Sequence, residues 1–212
     1  MEVKILAGED VIALRPLWEE VFSEDTKEFT DYYFKYKAQN NIAFVQAKDS
    51  EAVSMVHLTP YMTGKGEEVC YVVGVATKEE YRRQGLMEEL LKEAFLCMQS
   101  EQESFTFLMP ANPAIYEPYD FTYIYDKPKW ELNGKRLNEK LLDEASLAVD
   151  DERACFTLLV KDLGLLTVRT VRDKDLARAA RFANDYLKEH FDCYMQRSDA
   201  YYYVAKKELQ AQ

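Results

Sequence analysis

Hydrophobic and polar positions change their period several times along the N-terminal part of the chain, and each change predicts an element. Residues 3–7 (VKILA) are typical of a short strand, and the apolar positions of residues 11–22 (VIALRPLWEEVF) then recur at near-helical spacing. A second helix is predicted near residues 27–39. Three strands follow, at residues 42–47, 52–63 and 68–76.

The period changes again after Thr77. A charged turn, KEEYRRQG, precedes a helix predicted over residues 86–99, and SFTFLMP at residues 104–110 predicts a further strand. A short segment and a hairpin over residues 112–132 complete the order β-α-α-β-β-β-α-β-α-β-β. This alternation predicts one α/β (α+β) domain over residues 1–132, in which helices flank a central sheet.

Residues 133–212 form a predicted second region, a mostly helical extension. Residues 134–150 are charged and predict a helix, and ACFTLLVKD at residues 154–162 predicts a strand. Residues 168–212 then resemble residues 3–39 as an internal repeat would. VRTVRDKD matches VKILAGED, and two helical stretches follow. A chance match of short amphipathic segments is the alternative. A true repeat would be a partial second copy of the fold that packs on the first domain or on a partner chain, or belongs to a longer protein.

Composition and charge narrow the possible functions. Apolar residues make up 48% of the chain, which is normal for a protein with a substantial core. The net charge of -11 disfavours nucleic acid as a partner, because phosphate contacts need clustered Lys and Arg. The acidity fits a cationic partner such as an amine or a basic peptide, through long-range steering. Acidity that serves solubility alone is the alternative.

The four cysteines indicate free thiols rather than a metal site or a disulfide framework. They stand at positions 70, 97, 155 and 193 without CxxC spacing, and two histidines cannot complete a Cys/His zinc site. We therefore expect no metal and a reducing, cytoplasmic environment. No run of about 18 apolar residues and no signal-peptide pattern is present, so we expect no membrane association.

The turn between the third long strand and the following helix has the chemistry of a diphosphate site. A helix N-terminus exposes unpaired backbone N–H groups and carries about half a positive charge. Gly85 lets a phosphate approach those groups, Arg82 and Arg83 add charge and directed donors, and Leu86 anchors the helix. The alternative is a helix whose first turn happens to be basic.

Residues 75–91, VATKEEYRRQGLMEELL, resemble motif A of the GNAT superfamily of N-acetyltransferases. Arg82 and Gly85 match fixed positions of that motif, whereas Met87 replaces a small residue. This departure resembles the tandem acetyltransferases related to the enhanced-intracellular-survival protein. The resemblance implies acetyl-CoA as cosubstrate, a mixed and splayed central sheet, and pantetheine along the strand edge at residues 73–77. The implied coenzyme-binding residues are Val75, Ala76, Thr77, Arg82, Arg83, Gln84, Gly85, Leu86, Met87 and Asn112.

Residues 112–121, NPAIYEPYDF, resemble motif B of the same family, in which a tyrosine protonates the departing coenzyme thiolate. Tyr116 matches that tyrosine, and Asp120 stands where the family has glycine. A phenol suits this role because its pKa near 10 lies close to that of a thiol. Tyr119 and Tyr123 are alternative donors, and Tyr116 could instead only pack on the sheet.

A primary amine must lose a proton before it attacks a thioester, and a carboxylate or a histidine usually accepts that proton. His57, on a predicted strand, and Glu67 and Glu68, near the start of the next, are the candidates. A lone strand histidine that serves only the core is the alternative for His57. In the resembling tandem enzymes the base can be the carboxyl terminus of a far longer chain, so that role has no match here.

These patterns together predict an N-acetyltransferase that moves an acetyl group from acetyl-CoA to a primary amine by direct attack. The acceptor would be a small molecule or a peptide, and the uncovered faces of a partial repeat make a homo-oligomer plausible. The alternatives are a CoA-binding module without catalysis and a partner-docking protein whose GNAT pocket is vestigial.

Overall fold

The computed structural model describes residues 1–124, 155–160, 164–169 and 171–211. The strands are β1 (Val3–Ala7), β2 (Ile42–Lys48), β3 (Glu51–Met62), β4 (Glu68–Thr77), β5 (Cys155–Val160) and β6 (Gly164–Arg169). The α-helices are α1 (Arg15–Val21), α2 (Lys27–Tyr32), α3 (Leu86–Ser100), α4 (Leu176–His190) and α5 (Asp199–Ala211). The helix predicted at 134–150, and nearly all of the hairpin predicted at 122–132, lie outside the described residues.

Strands β1 to β4 form one antiparallel sheet in sequence order, so each strand pairs with its neighbour along the chain. The pairing of β3 with β4 is interrupted between Met55 and His57, where Val56 faces two residues of β4, Gly74 and Val75. A β-bulge of this kind increases the local twist and is common beside active sites. The bulge therefore bends β4 a few residues before the strand ends.

Helices cover both faces of this sheet, and each face has its own core. On one face, α1 and the helical turns that precede α1 and follow α2 pack on the sheet through Leu14, Trp18 and Tyr33. On the other face, α3 buries Leu90, Leu91 and Ala94 completely against β2, β3 and β4, together with Met98. Each fully buried leucine contributes roughly 1.5–3 kcal/mol by leaving water. The predicted core stripe of α3 is thus the side that faces the sheet.

The segment at residues 104–110 corrects one prediction, since it is not a strand. It makes a single parallel bridge, between Phe107 and Tyr71 of β4, and the Val72 N–H donates to the Phe107 carbonyl at 2.9 Å. Its alternating pattern reflects aromatic packing instead, because the Phe107 ring lies 5.1 Å from Tyr71 and 5.8 Å from Tyr61. The described sheet is accordingly antiparallel rather than mixed, apart from that one bridge.

The first predicted helix is also divided. A 3-10 helix covers Gly8–Leu14, and α1 begins only at Arg15, with Pro16 in its first turn. Proline has no N–H to donate and fits the first turn of a helix, where that N–H would have no partner. The second predicted helix likewise continues from α2 through a π-helical turn (Tyr33–Lys37) and a 3-10 turn (Ala38–Asn40).

The chain divides into two compact units, one of residues 1–121 with 177–212 and one of residues 122–176. In the second unit, β5 and β6 form an antiparallel hairpin. In the first, α5 packs on α2, where Tyr32 donates a hydrogen bond to Glu208 at 3.0 Å. The domain boundary at residue 132 and the partial second repeat stay predictions.

Candidate active site

The turn from β4 to α3 is shaped by two left-handed residues, Arg83 at φ 60° and Gly85 at φ 80°. Two side chains hold it in place. Arg82 Nε donates to the Thr77 carbonyl at 3.1 Å, and Gln84 Nε2 donates to the Glu80 carbonyl at 3.0 Å. The Arg82 terminal nitrogens have no protein partner in the described part of the chain, so the anchored guanidinium keeps donors for a ligand.

The N-terminus of α3 is open to a ligand. No side chain caps the helix at Gly85, and a Cβ placed on that glycine would meet nothing within 4 Å. Leu86 is buried, and Met87 packs in part against the core beneath α3, which takes up part of its bulk. The arrangement has the features of an anion cradle, namely unpaired N–H groups, a helix dipole and two exposed arginines.

Two acidic residues in the first turn of α3 are engaged by other side chains. Glu88 forms an ion pair with Lys92 at 2.7 Å, and Glu89 accepts a hydrogen bond from Gln46 of β2. Gln46 is fully buried, so this bond ties the first helical turn to the sheet. The Lys92 cation offsets part of the negative charge that would otherwise oppose an anion at the same place, whereas the neutral Gln46 amide only fixes the position of Glu89.

The end of β4 presents an unpaired edge next to this turn. β4 is the last strand of the sheet, and beyond the Tyr71–Phe107 bridge it has no strand partner on its outer side within the described residues. Val75 and Ala76 face opposite cores, and the Thr77 hydroxyl lies 2.8 Å from that of Ser54. An extended ligand can therefore add to this edge by backbone hydrogen bonds.

Gly74 is a structurally restricted position beside the candidate site, and the sequence reasoning missed it. It has φ 59°, and a Cβ there would lie 2.6 Å from Cζ3 of Trp18 and 3.4 Å from Cγ of His57. Only glycine fits that space and that backbone conformation, and the bulge depends on both. A lone glycine inside a strand pattern signals a bulge or a close approach, so the sequence does contain the clue.

The segment with Tyr116 is a pair of short 3-10 helices that packs beside α3. The Asn112 side chain caps the first by accepting from the Ala114 N–H at 3.2 Å. Asp120 has φ 63°, so it adopts the left-handed conformation for which the family uses glycine. Phe121 contacts Tyr116 at a 5.9 Å ring separation and Phe95 of α3 at 6.1 Å.

The structure gives the three candidate tyrosines different surroundings. Tyr116 is half-buried, and burial, with a smaller contribution from Tyr71, raises its pKa. Tyr119 packs against the α3 core, and burial with nearby Glu88 raises its pKa as well. Tyr123 is 66% exposed. Tyr116 is therefore the half-buried tyrosine of the short segment, Tyr119 packs on the core beneath α3, and Tyr123 is exposed to solvent.

His57 is a core residue in this fold. It is fully buried, and burial lowers its pKa to about 4. Its Nδ1 lies 3.1 Å from the Tyr33 hydroxyl, which itself accepts from Asn41 Nδ2 at 3.0 Å. Since Asn41 supplies the Tyr33 oxygen with a donor, the phenol proton is directed at Nδ1, and Nε2 carries the imidazole hydrogen without a protein partner.

The other candidate groups lie apart from the turn. Glu67 and Glu68 are exposed at the start of β4, the end opposite to Thr77. Burial raises the pKa of the Cys70 and Cys97 thiols, which opposes formation of a nucleophilic thiolate. Among the described residues no group of three or more His, Cys, Asp or Glu side chains is suited to a metal ion, and no helix is long and apolar enough to cross a bilayer.

Comparison with known proteins gives a family. The profile of an acetyltransferase (GNAT) domain matches residues 2–124. A search of functionally curated proteins found no significant match. Among solved structures, a probable N-acyltransferase from Enterococcus faecalis V583 is similar, with 21% identity and a TM-score of 0.49 over 56% of this chain. This chain spans only 31% of the length of that protein.

Two shorter proteins are also similar in structure. A ribosomal-protein-alanine N-acetyltransferase from Brucella melitensis biovar Abortus 2308 has 16% identity and a TM-score of 0.49, over 63% of this chain and 99% of its own. An aminoglycoside acetyltransferase from an uncultured soil metagenomic sample has 14% identity and a TM-score of 0.47, over 62% of this chain and 97% of its own.

Proposed function

The chain belongs to the GNAT family of acetyltransferases, and from that premise we propose that it transfers an acetyl group from acetyl-CoA to a primary amine. The observation that carries the proposal is the open N-terminus of α3, where Gly85 leaves space and no side chain caps the helix. The pyrophosphate binds there, held by the N–H groups that open α3 and by Arg82 and Arg83.

The remaining proposed coenzyme contacts follow the end of β4. Pantetheine lies along the unpaired edge formed by Val75, Ala76 and Thr77, where backbone groups are available for hydrogen bonds. Gln84, Leu86 and Met87 shape the turn and its support, and Asn112 holds the segment that carries Tyr116. This assignment uses the same residues that the sequence motif identifies.

In the proposed reaction the neutral amine attacks the thioester directly, so a C–N bond forms and the C–S bond breaks. Tyr116 donates its phenolic proton to the departing sulfur, and its raised pKa keeps the phenol protonated before that step. The nitrogen that has formed the C–N bond releases one proton, and the Tyr116 phenolate takes up a proton from solvent, so the phenol is restored. Direct attack is consistent with buried Cys70 and half-buried Cys97, because the raised pKa of each thiol disfavours the thiolate that a covalent intermediate would need. The proposed location is the cytoplasm, where such free thiols persist.

A double variant, Arg82→Glu with Gly85→Val, tests the proposed coenzyme site. The first change reverses a charge at the turn, and the second adds bulk and strains a residue with φ 80°. We expect CoA affinity, measured by isothermal titration calorimetry, to fall by about 100-fold or more.

The matched control is Arg178→Glu with Gly66→Val. Arg178 is exposed on α4, and Gly66 also has positive φ and open space, at 82° in the β3–β4 turn. The control should bind CoA as the wild type does. Unchanged CoA affinity in the Arg82/Gly85 variant, with thermal unfolding like that of the control, would contradict the proposal.

A further inference from the structure

Helix α4 leaves large aromatic side chains exposed. Phe182 is 75% exposed and Tyr186 is 51% exposed, and Phe191, directly after the helix, is 52% exposed. The Tyr186 ring also stacks on that of His190, with 4.1 Å between the ring centroids, so the two rings form one continuous surface. Neighbouring exposed rings of this kind commonly mark a surface that another molecule covers.

The opposite side of α4 is anchored, and this fixes the side on which the rings lie. The Asn184 amide donates to the Arg197 carbonyl and accepts from the Arg197 N–H, both at 2.8 Å. The chain before Arg197 is bound to the β3–β4 turn, since the Gly64 N–H donates to the Tyr194 carbonyl at 2.8 Å. Phe182 is two residues from Asn184, a rotation of about 200° around the helix, so it lies on the far side. The helix therefore cannot turn Phe182 inward without breaking these bonds.

Charged side chains accompany the aromatic rings, and their signs are separated along the helix. One side of α4 follows the spacing i, i+4, i+7 and i+11 and carries, in this order, Arg178, Phe182, Asp185 and Glu189, with Arg181 beside them. All four charged residues are exposed. Among the residues that the structure describes, none of the four takes part in a hydrogen bond or an ion pair. This side, with its aromatic rings, is the outward face of α4, basic before its aromatic centre and acidic after it.

This order of charges does not favour the helix by itself. A helix begins with a partial positive charge and ends with a partial negative charge. Arg178 lies in the first turn of α4 and Glu189 in the last, so each of these two residues has the same sign as the helix end beside it. A second helix that runs in the opposite direction would bring a carboxylate to Arg178 and a guanidinium to Glu189. A partner helix therefore explains the charge order better than the stability of α4 alone does.

We propose that the outward face of α4 binds the same face of a second copy of this chain, with the two helices antiparallel. In such a two-fold pair each contact occurs twice, because the same surface is used by both copies. With the axis at the level of Asn184, midway between Phe182 and Tyr186, the Phe182 ring of one copy packs on the Tyr186 ring of the other. The interface thus covers the aromatic rings that a single copy leaves in solvent.

The charges select this orientation. At the same level of the axis, Arg178 of one copy comes opposite Glu189 of the other, and Arg181 comes opposite Asp185. A parallel pair would place arginine against arginine and carboxylate against carboxylate, which is unfavourable. One helix pair is a small interface, so we expect a weak dimer with a dissociation constant in the micromolar range. The inference does not depend on the proposed acetyl transfer.

Phe182→Ala tests the aromatic centre. We expect it to raise the dimer dissociation constant about tenfold or more, measured by analytical ultracentrifugation over a series of protein concentrations. Leu209→Ala is the matched control, because Leu209 is a large apolar residue that is 77% exposed on α5. The control should associate as the wild type does.

A pair of charge variants tests the orientation. Arg178→Glu with Arg181→Glu makes the outward face acidic, and Asp185→Lys with Glu189→Lys makes it basic. Each variant alone should be monomeric, since like charges then meet across the axis. An equimolar mixture of the two should form a 1:1 dimer, because opposite charges meet again. All four positions are exposed, and circular dichroism checks that each variant keeps its helical content.

Three results would overturn the inference. One is a wild-type chain that stays monomeric at every concentration, which would also be the result if another part of the same chain covered the face. Another is self-association that persists unchanged in Phe182→Ala, which would place the interface elsewhere. The third is a mixture of the acidic and basic variants that remains monomeric.

Discussion

Burial and the neighbouring phenol of Tyr71 both raise the pKa of Tyr116, and a raised pKa means that the phenol keeps its proton. In the proposed reaction the protonated phenol is available to the departing sulfur, whereas the raised pKa widens the gap to the pKa of a thiol and makes the proton transfer itself less favourable. The edge-to-face contact with Phe121, itself packed on Phe95 of α3, restricts the ring. At the residue scale, then, the Tyr116 phenol is protonated at neutral pH, and its ring is held in position.

Tyr116→Phe should lower kcat by roughly 100-fold or more, because the acid is lost while the ring is kept. CoA affinity should change less than twofold. Since the pKa of Tyr116 is raised, the wild type should show no loss of this acid below about pH 10. Thiol-release kinetics across pH test both statements. A Tyr116→Phe enzyme with wild-type kcat would remove Tyr116 from the mechanism and favour a CoA-binding module or another donor.

The close approach of the Trp18 ring to Gly74 leads to a prediction about stability. Gly74→Ala adds a Cβ at φ 59° and 2.6 Å from the Trp18 ring, so we expect a loss of about 2–4 kcal/mol in the free energy of unfolding. Gly66→Ala has similar strain without the clash and should cost about 1 kcal/mol. Urea denaturation measures both. Equal losses in the two variants would mean that the contact with Trp18 does not limit residue 74.

At the element scale, β3 crosses a buried polar network of His57, Tyr33, Asn41 and Thr59. Asn41 is the centre of the network, since its Nδ2 donates to Tyr33 and its Oδ1 accepts from the Thr59 hydroxyl at 2.9 Å. Buried networks of this kind hold elements in one register when their members are satisfied. Here the network joins β3 to the helical segment around Tyr33, directly behind the bulge.

The network predicts a pH dependence of stability. The folded-state pKa of His57 is about 4, below the unfolded value near 6.5, so the unfolded chain takes up a proton first. Stability from this residue is complete above pH 6.5 and is lost as pH falls towards 4, by an amount on the order of 3 kcal/mol. His57→Gln should therefore shrink the difference in thermal unfolding temperature between pH 7.5 and pH 5.0. A difference as large as that of the wild type would contradict this reading.

Elements with a clear period are the ones that the sequence predicts well. The predicted helix at residues 86–99 is α3, Leu86–Ser100, and the strand at residues 3–7 is β1. The predicted strand at residues 104–110 is wrong, because its alternation arises from aromatic contacts of Phe107 across the fold rather than from a ladder. Local patterns cannot separate these two causes, since both place apolar side chains on one side.

The candidate site follows the same division. Motif residues around Gly85 and Tyr116 are local in sequence, so their spacing alone predicts the turn and the short segment that contains Tyr116. The contact of Glu208 with Tyr32, outside that site, has no such signal, because it spans a separation of 176 residues. His57 shows the opposite case, since its residue type suggests chemistry, whereas its full burial agrees with the alternative that it serves only the core. The spacing of residues along the sequence does not reveal which side chains the fold buries.

At the scale of the whole molecule, the last helix is joined to the N-terminal sheet domain. Residues 177–212 form one compact unit with residues 1–121, and Val204 and Ala211 of α5 pack against the core that contains Trp18. Such docking covers apolar surface that an isolated partial repeat would leave exposed. Helix α5 thus supports the core of the N-terminal sheet, whether or not it derives from a second copy of the fold.

Val204→Asp should detach α5, because it introduces a charge into this contact. We expect a loss of about 1–3 kcal/mol and faster proteolytic cleavage within residues 199–211. Leu209→Asp, at a position that is 77% exposed on the same helix, should change stability by less than about 0.5 kcal/mol. Limited proteolysis with thermal unfolding measures both, and equal behaviour of the two variants would show that the docking contributes little.

The unpaired outer edge of β4 has a consequence beyond coenzyme binding. Exposed strand edges pair with strands of other molecules, and proteins usually protect them. Here no strand of the described residues covers the edge past Tyr71. If pantetheine binds as proposed, it would also shield this edge from other copies of the chain. Depletion of the acyl donor would then expose the edge and increase self-association.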